Sequence, residues 1–283
     1  MRDSMSDEEE ENGANPEEGI VETSPLTADD SQLVEESIDK ELRSKFRFVS
    51  YKKAISVLRY GLDQEFSEIL EALRLFSITT EMIRKPGGNE SEIPKAVRGL
   101  LRPKGWHETT ISGDLHIARR WRELLKINSK GKEVFDQRTQ MTVRKNYLDG
   151  HKIDFVKNRL AFDFEWNSKD QTFDRDLYAF DAFAEAGAID AAIIVTRDES
   201  LNPIFAELGQ ALTKSGAPSF KDGKPVMLTA KYGASTTWWG KLIYRLNAGR
   251  NGACPVLAIG ITPECISDLV DWRRLHANER PTK

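Results

Sequence analysis

Polar and apolar positions alternate most cleanly in the middle of the chain. Phe162, Phe164 and Trp166 fall on one side and Asp163, Glu165 and Asn167 on the other, the period-two pattern of a half-buried strand. Upstream, Lys152 to Val156 alternates too, with Ile153 and Phe155 opposite Lys152 and Asp154. Asn158 supplies turn chemistry between the two runs, so the pattern predicts a hairpin. Ahead of it the spacing is helical: Leu42, Phe46, Val49, Ala54, Val57 and Leu58 from Lys40 onward, then a stripe of Phe66, Ile69, Leu70, Leu73 and Phe76 in a helix over 63–84. Pro86-Gly87-Gly88 stops that helix, and a short one follows over 95–101. Residues 115–125, with Arg119, Arg120 and Arg122 among Ile117, Trp121 and Leu124, read as a basic amphipathic helix or as an insertion lying along a polyanion. Val134 to Val143 alternates loosely, as a strand.

Beyond the hairpin, Leu177, Phe180 and Ala184 recur at helical spacing. Ala191-Ala192-Ile193-Ile194-Val195 is a continuous apolar run, the mark of a strand buried on both faces of an α/β sheet. A helix is expected over 203–212, another from Trp238, a strand over 254–261 and a terminal helix from Pro263.

Charge divides the chain. Of 45 acids and 41 bases, the first forty residues hold fourteen and two, leaving −12 there and +8 for the remainder. Residues 1–39, which include Asp7-Glu8-Glu9-Glu10-Glu11, therefore read as an acidic disordered tail. Two cysteines are too few for a disulfide scaffold and suit a reduced, cytoplasmic setting. The four histidines show no metal-ligand spacing in sequence, no run is long enough to span a membrane, and the N-terminus does not read as a signal peptide.

On the hairpin, Asp154, Asp163 and Glu165 would share one polar face, either the solvent side of a sheet edge or a cation site. Like charges that close cost free energy unless a cation neutralises them, and oxygen ligands of this kind suit Mg²⁺. The order acidic hairpin, helix, buried strand is that of the PD-(D/E)xK nuclease core. Three blocks sharpen the likeness: Ile153-Asp154-Phe155, then Glu165-Trp166-Asn167-Ser168-Lys169-Asp170 through Asp174-Arg175-Asp176-Leu177, then Lys231-Tyr232-Gly233-Ala234-Ser235-Thr236-Thr237. With them the chain resembles the BglII/BstYI group of type II restriction endonucleases, in which an uncharged amide replaces the motif lysine.

That resemblance implies an α/β fold, a mixed sheet flanked by helices with an N-terminal helical layer over 40–130 and a catalytic core over 131–283. It implies Mg²⁺-dependent hydrolysis of double-stranded DNA within a restriction-modification system. Asp154 and Glu165 would hold the metal with the Trp166 carbonyl, Asp163 being the alternative ligand. A two-residue turn at Lys157-Asn158 would set Asp154 opposite Ala161, nearer Asp163 than Glu165. Asn167 would orient water, and Lys169 would restore a positive charge if the strand extends that far. Arg175, Lys231, Ser235, Thr236 and Thr237 are candidate DNA contacts, the last three beside a helix N-terminus. A homodimer would match a palindromic site, with Trp238, Trp239, Leu242, Ile243 and Leu246 covering more than one face of a helix that is either buried or shared with a partner. Other readings of the same residues are a repair or junction-resolving nuclease of this fold and a non-catalytic DNA-binding module.

Overall fold

Three short strands with every residue buried run through the centre of a six-stranded sheet in the computed structural model of the chain, which describes residues 28–87 and 91–277. In chain order the strands are β1 (Phe46–Tyr51), β2 (His107–Ile127), β3 (Glu133–Lys157), β4 (Leu160–Glu165), β5 (Ala191–Arg197), the two-residue β6 (Phe220–Lys221) and β7 (Lys224–Pro225), and β8 (Val256–Ile261). The sheet order is β1-β8-β5-β4-β3-β2, with β6 and β7 forming a separate small ribbon. β4, β5 and β8 are parallel; β1, β3 and β2 run antiparallel to their neighbours. A parallel sheet needs cover on both faces, which is why the run Ala191 to Val195 is apolar without a break.

Helices supply that cover. Before the long strands come α1 (Ser31–Ser37), α2 (Lys40–Lys45), α3 (Ala54–Gly61), α4 (Asp63–Leu75), α5 (Thr80–Arg84) and α6 (Glu92–Leu101). After the hairpin come α7 (Thr172–Glu185), α8 (Leu201–Leu208), α9 (Leu228–Lys231), α10 (Trp239–Asn247) and α11 (Leu269–Leu275). Phe162, Phe164, Ile193, Val195, Leu257 and Ile259 pack into the N-terminal layer with Ile55, Leu58, Phe66 and Ile69. Ala161, Ala192, Ile194, Val256 and Ala258 turn the other way, against Phe173, Leu177 and Phe180 of α7 and Trp239, Leu242 and Leu246 of α10. The chain thus forms the expected mixed α/β sheet between helical layers. Among the described residues no helix is long and apolar enough to cross a membrane.

Several local expectations change. The helical run from Lys40 breaks at Phe46–Tyr51, which is the edge strand β1, because pairing with β8 buries Phe46 and Tyr51. The helix expected over 63–84 is two, α4 and α5, with Phe76–Thr79 between them. The helix expected over 203–212 ends at Leu208, where Gly209 takes φ 68°. The apolar positions of α10 are occupied within the monomer, so they supply no argument for a partner. Residues 115–125 are strand rather than helix, and 40–130 is not uniformly helical.

β2 and β3 pair far beyond the sheet as a two-stranded ribbon closed at Asn128–Lys132, where the Asn128 carboxamide oxygen accepts from the Lys130 and Lys132 amides. None of residues 115–145 is buried. This segment has nine bases against three acids. Only Arg138 and Lys145 pair with carboxylates among the described residues.

The tail boundary also moves. The acidic run of residues 7–11 lies outside the described residues, but Asp29 onward is structural. The Asp29 carboxylate accepts from the Ser50 hydroxyl and the Lys53 amide, and α1 places Val34 and Ile38 in the core. Ile38 is 1% exposed. Ile38→Ala is therefore expected to destabilise the protein by about 2–5 kcal/mol, read from urea unfolding, whereas a dispensable tail would leave the midpoint unmoved.

Candidate active site

The hairpin is fixed first by its turn. Asn158 takes φ 49°, a conformation Asn tolerates, and Lys157 pairs with Leu160, Val156 with Ala161 and Phe155 with Phe162. The two-residue turn is therefore Asn158-Arg159 rather than Lys157-Asn158, and the register brings Asp154 to Asp163 instead of Ala161. The regular ladder stops at Phe155. The Asp154 amide donates to Asp163 Oδ1 at 2.8 Å, and the Phe164 amide donates to Asp154 Oδ2 at 3.1 Å. On the other side of β3, His107 pairs with Val156 but Thr109 with Ile153, so β3 carries one extra residue here. Such a bulge re-aims side chains, and Ile153 and Phe155, expected on one face, lie in opposite cores.

Helix α4 braces this construction. Lys157 Nζ donates to both oxygens of Glu68 at 2.6 and 2.7 Å and to the Lys104 carbonyl at 2.8 Å. Asn158 Nδ2 donates to Glu65, and Trp106 Nε1 to Glu68 at 2.9 Å. At the far end of β4 the Glu165 carbonyl accepts from the Thr196 hydroxyl at 2.7 Å.

The carboxylates are crowded and dry. Asp163 and Glu165 are buried, as is Asp176 in the first turns of α7. Asp163 Oδ2, Glu165 Oε2 and Asp176 Oδ2 have no hydrogen-bond partner among the described residues. Burial, then the Asp176 and Asp154 charges, push the Asp163 carboxyl well above the usual range. Burial first and Asp176 second push Glu165 up to about 8. Burial also raises Asp154, against the Phe164 amide that stabilises its anion. His151 Nε2 lies 3.4 Å from Asp176 Oδ1, and His151, Asp163 and Asp176 each bring a donor atom within 4.8 Å of the others. The sequence pointed to neither His151 nor Asp176 as a site residue, since only the fold brings them to the hairpin.

A cleft of about 650 Å³ opens beside the acids, lined by Asp154, Glu165, Trp166 and Asn167 below and by Arg98 and Arg102 from the end of α6. Asn167 Oδ1 is buried without a partner, while its Nδ2 is 3.4 Å from the Lys231 carbonyl. β4 ends at Glu165, so Lys169 does not continue the strand face. It is exposed and pairs through its backbone with Thr236. Arg175 is exposed and reaches Asp176 Oδ1 at 3.4 Å.

The remaining candidate DNA contacts divide. Lys231 turns its ammonium back onto the Ile83 and Lys85 carbonyls, at 2.8 and 2.5 Å, and burial lowers it to about 8. Thr237 is buried, its hydroxyl accepting from the Ser168 amide at 3.2 Å. Thr236 accepts from Arg197 at 2.7 Å. Of the three hydroxyl residues only Ser235 is exposed, so the Lys231–Thr237 block mainly pins the segment that follows β4.

A mixed sheet with a broken, acid-lined hairpin beneath a basic wall is the frame of a restriction-endonuclease fold. The family model described as restriction endonuclease BglII/BglIII matches residues 46–261, and the chain belongs to that family. Comparison with curated proteins finds no match.

Raised carboxyl pKa values have a thermodynamic consequence. Glu165 has an ordinary value of 4.5 and titrates at about 8 in the fold, so the folded state holds the proton more tightly than the unfolded chain. Its contribution to stability is full below about 4.5 and is lost as pH rises towards 8. A divalent ion bound by the acids would offset that loss. Ca²⁺ is accordingly expected to raise Tm more at pH 8 than at pH 5, measured by calorimetry. An equal shift at both values would mean that these carboxyls do not bind the ion.

Proposed function

We propose that the chain is a Mg²⁺-dependent type II endodeoxyribonuclease of a cytoplasmic restriction-modification system, acting on double-stranded DNA as a homodimer. The observation that carries this reading is the pairing of Asp154 with Asp163 across the broken ladder, beside a cleft walled by Arg98 and Arg102. The buried, unpartnered oxygens of Asp163 and Glu165 favour a hard cation with oxygen ligands.

In this reading Asp154 and Asp163 hold the metal. Glu165 stands two residues beyond Asp163, so Asp163-Phe164-Glu165 is the better fit to the (D/E)-x-K slot than Glu165-Trp166-Asn167, with a carboxylate in place of the lysine. When bound, Mg²⁺ would supply charge neutralisation at the scissile phosphate and a lowered pKa for water. Arg98 and Arg102 would hold phosphate oxygens at the cleft wall. Glu165 would accept the proton of the attacking water, a role that fits a carboxyl displaced towards neutrality. Asn167 can only orient by hydrogen bonds, since an amide neither carries charge nor takes up a proton. With the slot moved, the main-chain carbonyl of the ligand set would be that of Phe164 in place of Trp166, and Arg175 and Ser235 remain accessible for DNA. Two-fold assembly would match the symmetry of a palindrome.

Incubation of purified protein with unmethylated phage DNA and Mg²⁺ is expected to give discrete fragments. A smear would favour a repair-type nuclease, and no cleavage a binding module. Asp163→Asn is expected to reduce cleavage more than about 100-fold, the scale on which losing one charge-stabilising group acts, while DNA binding in Ca²⁺ survives. Undiminished cleavage would remove Asp163 from the site. Light scattering of the DNA complex is expected to give two chains; a monomer that still cut both strands would overturn the dimer.

A further inference from the structure

His151 and Asp176 have no part in the scheme above, yet they face the same acids from a second direction. His151 lies on β3 three residues before Asp154, and Asp176 rises from α7 beneath the sheet. Asp176 and Asp163 are 1% and 3% exposed. Asp163 offers Oδ1 to the Asp154 amide and keeps Oδ2 without a partner, as are Asp176 Oδ2 and His151 Nε2 among the described residues. A simple His–Asp contact would account for the 3.4 Å approach between His151 and Asp176, but it leaves the Oδ2 atoms of Asp163 and Asp176 buried and unpaired among the described residues. The other charges on the cluster are the Asp154 and Glu165 carboxylates and the Arg175 guanidinium, which reaches only the Asp176 Oδ1 side.

The geometry points to a second divalent-cation subsite formed by His151, Asp163 and Asp176, with Asp163 shared between it and the site proposed for Mg²⁺. Metal–ligand bonds of roughly 2.0–2.2 Å set three ligands of one ion about 3–3.6 Å from one another, so donors already within 4.8 Å converge on an ion after side-chain shifts of about an ångström. A carboxylate shared by two ions is an arrangement known in phosphodiester chemistry. The imidazole changes the preference. All-oxygen ligation suits Mg²⁺, whereas one nitrogen with two carboxylates favours a transition-series ion. The inference rests on the proposed nuclease site only through the shared Asp163.

Mn²⁺ is the probe, added to the full-length protein without DNA and followed by electron spin resonance. Bound Mn²⁺ is expected to show spin-echo modulation from a directly coordinated imidazole nitrogen. In His151→Gln that modulation is expected to vanish, with one equivalent of bound Mn²⁺ lost, and Asp176→Asn is expected to weaken the same equivalent at least tenfold. Circular dichroism checks the variants, and the wild-type spectrum decides without them. Bound Mn²⁺ lacking nitrogen modulation, modulation that survives in His151→Gln, or no binding at millimolar Mn²⁺ would each overturn the subsite. Mg²⁺-dependent cleavage, measured separately, judges the nuclease reading.

Discussion

Asp154 and Asp163 stand where the next rungs of the β3–β4 ladder would fall, each accepting a backbone amide that a carbonyl would otherwise take. This exchange of ladder bonds for carboxylate bonds is the constraint on which the rest of the site depends. It parts the strands at the point where the cleft begins, and it holds a half-buried acid, Asp154, beside a fully buried one, Asp163. The arrangement is costly, since burial disfavours both anions, the Asp176 charge disfavours both, and the Asp154 charge disfavours that of Asp163. Bracing from outside the sheet keeps it in place: Glu65 and Glu68 of α4 grip the turn residue Asn158 and its neighbour Lys157, the last residue of β3. The bulge opposite Glu108 absorbs the change of direction in β3.

The hairpin, α7 and the central strand β5 were legible because one or both faces are buried and the apolar period records that burial. β4 was legible only in part. Its alternation of Phe162 and Phe164 with Asp163 and Glu165 reads as a strand with one wet face, yet all six of its residues are buried. Local pattern and burial disagree there, and such disagreements concentrate at functional sites. The ribbon defeated the pattern for the opposite reason. With neither face buried, only a weak period was imposed on residues 115–145: the loose alternation of Val134 to Val143 does mark part of β3, but 115–125 carried the spacing of a helix. β1 was read as helix because Phe46 and Val49 fit that spacing, and only pairing with β8 decides the matter. His151 carries no mark in the sequence, and Asp176 stood in a motif block without being singled out as a ligand.

The motif blocks teach a related lesson about polar residues in a loop. Thr236, Thr237 and Lys231 look like a surface made for phosphate, but each is directed inward, to Arg197, to the end of β4 and to the carbonyls at the end of α5. The salt links of Asp170 to Lys241 and of Asp174 to Arg245 likewise tie α7 and the loop before it to α10. Hydroxyls and charges that fix the loop after β4 fix the acids at its end, so structure and chemistry draw on the same short segment.

The long ribbon also bears on solubility. Two bare strands ending a sheet present unpaired amides and carbonyls along their outer edges, a template on which another chain could add a strand. Four interruptions of the β2–β3 register, between His107/Thr109, Ile111/Ser112, Gly113/Leu115 and Leu124/Lys126, break the straight run such a template needs. Arg119, Arg120, Arg122 and Arg144 put like charge along it. A second ribbon approaching edge to edge would meet both irregular spacing and repulsion, so the arm can expose Trp121, Leu124 and Phe135 without inviting fibrous self-association.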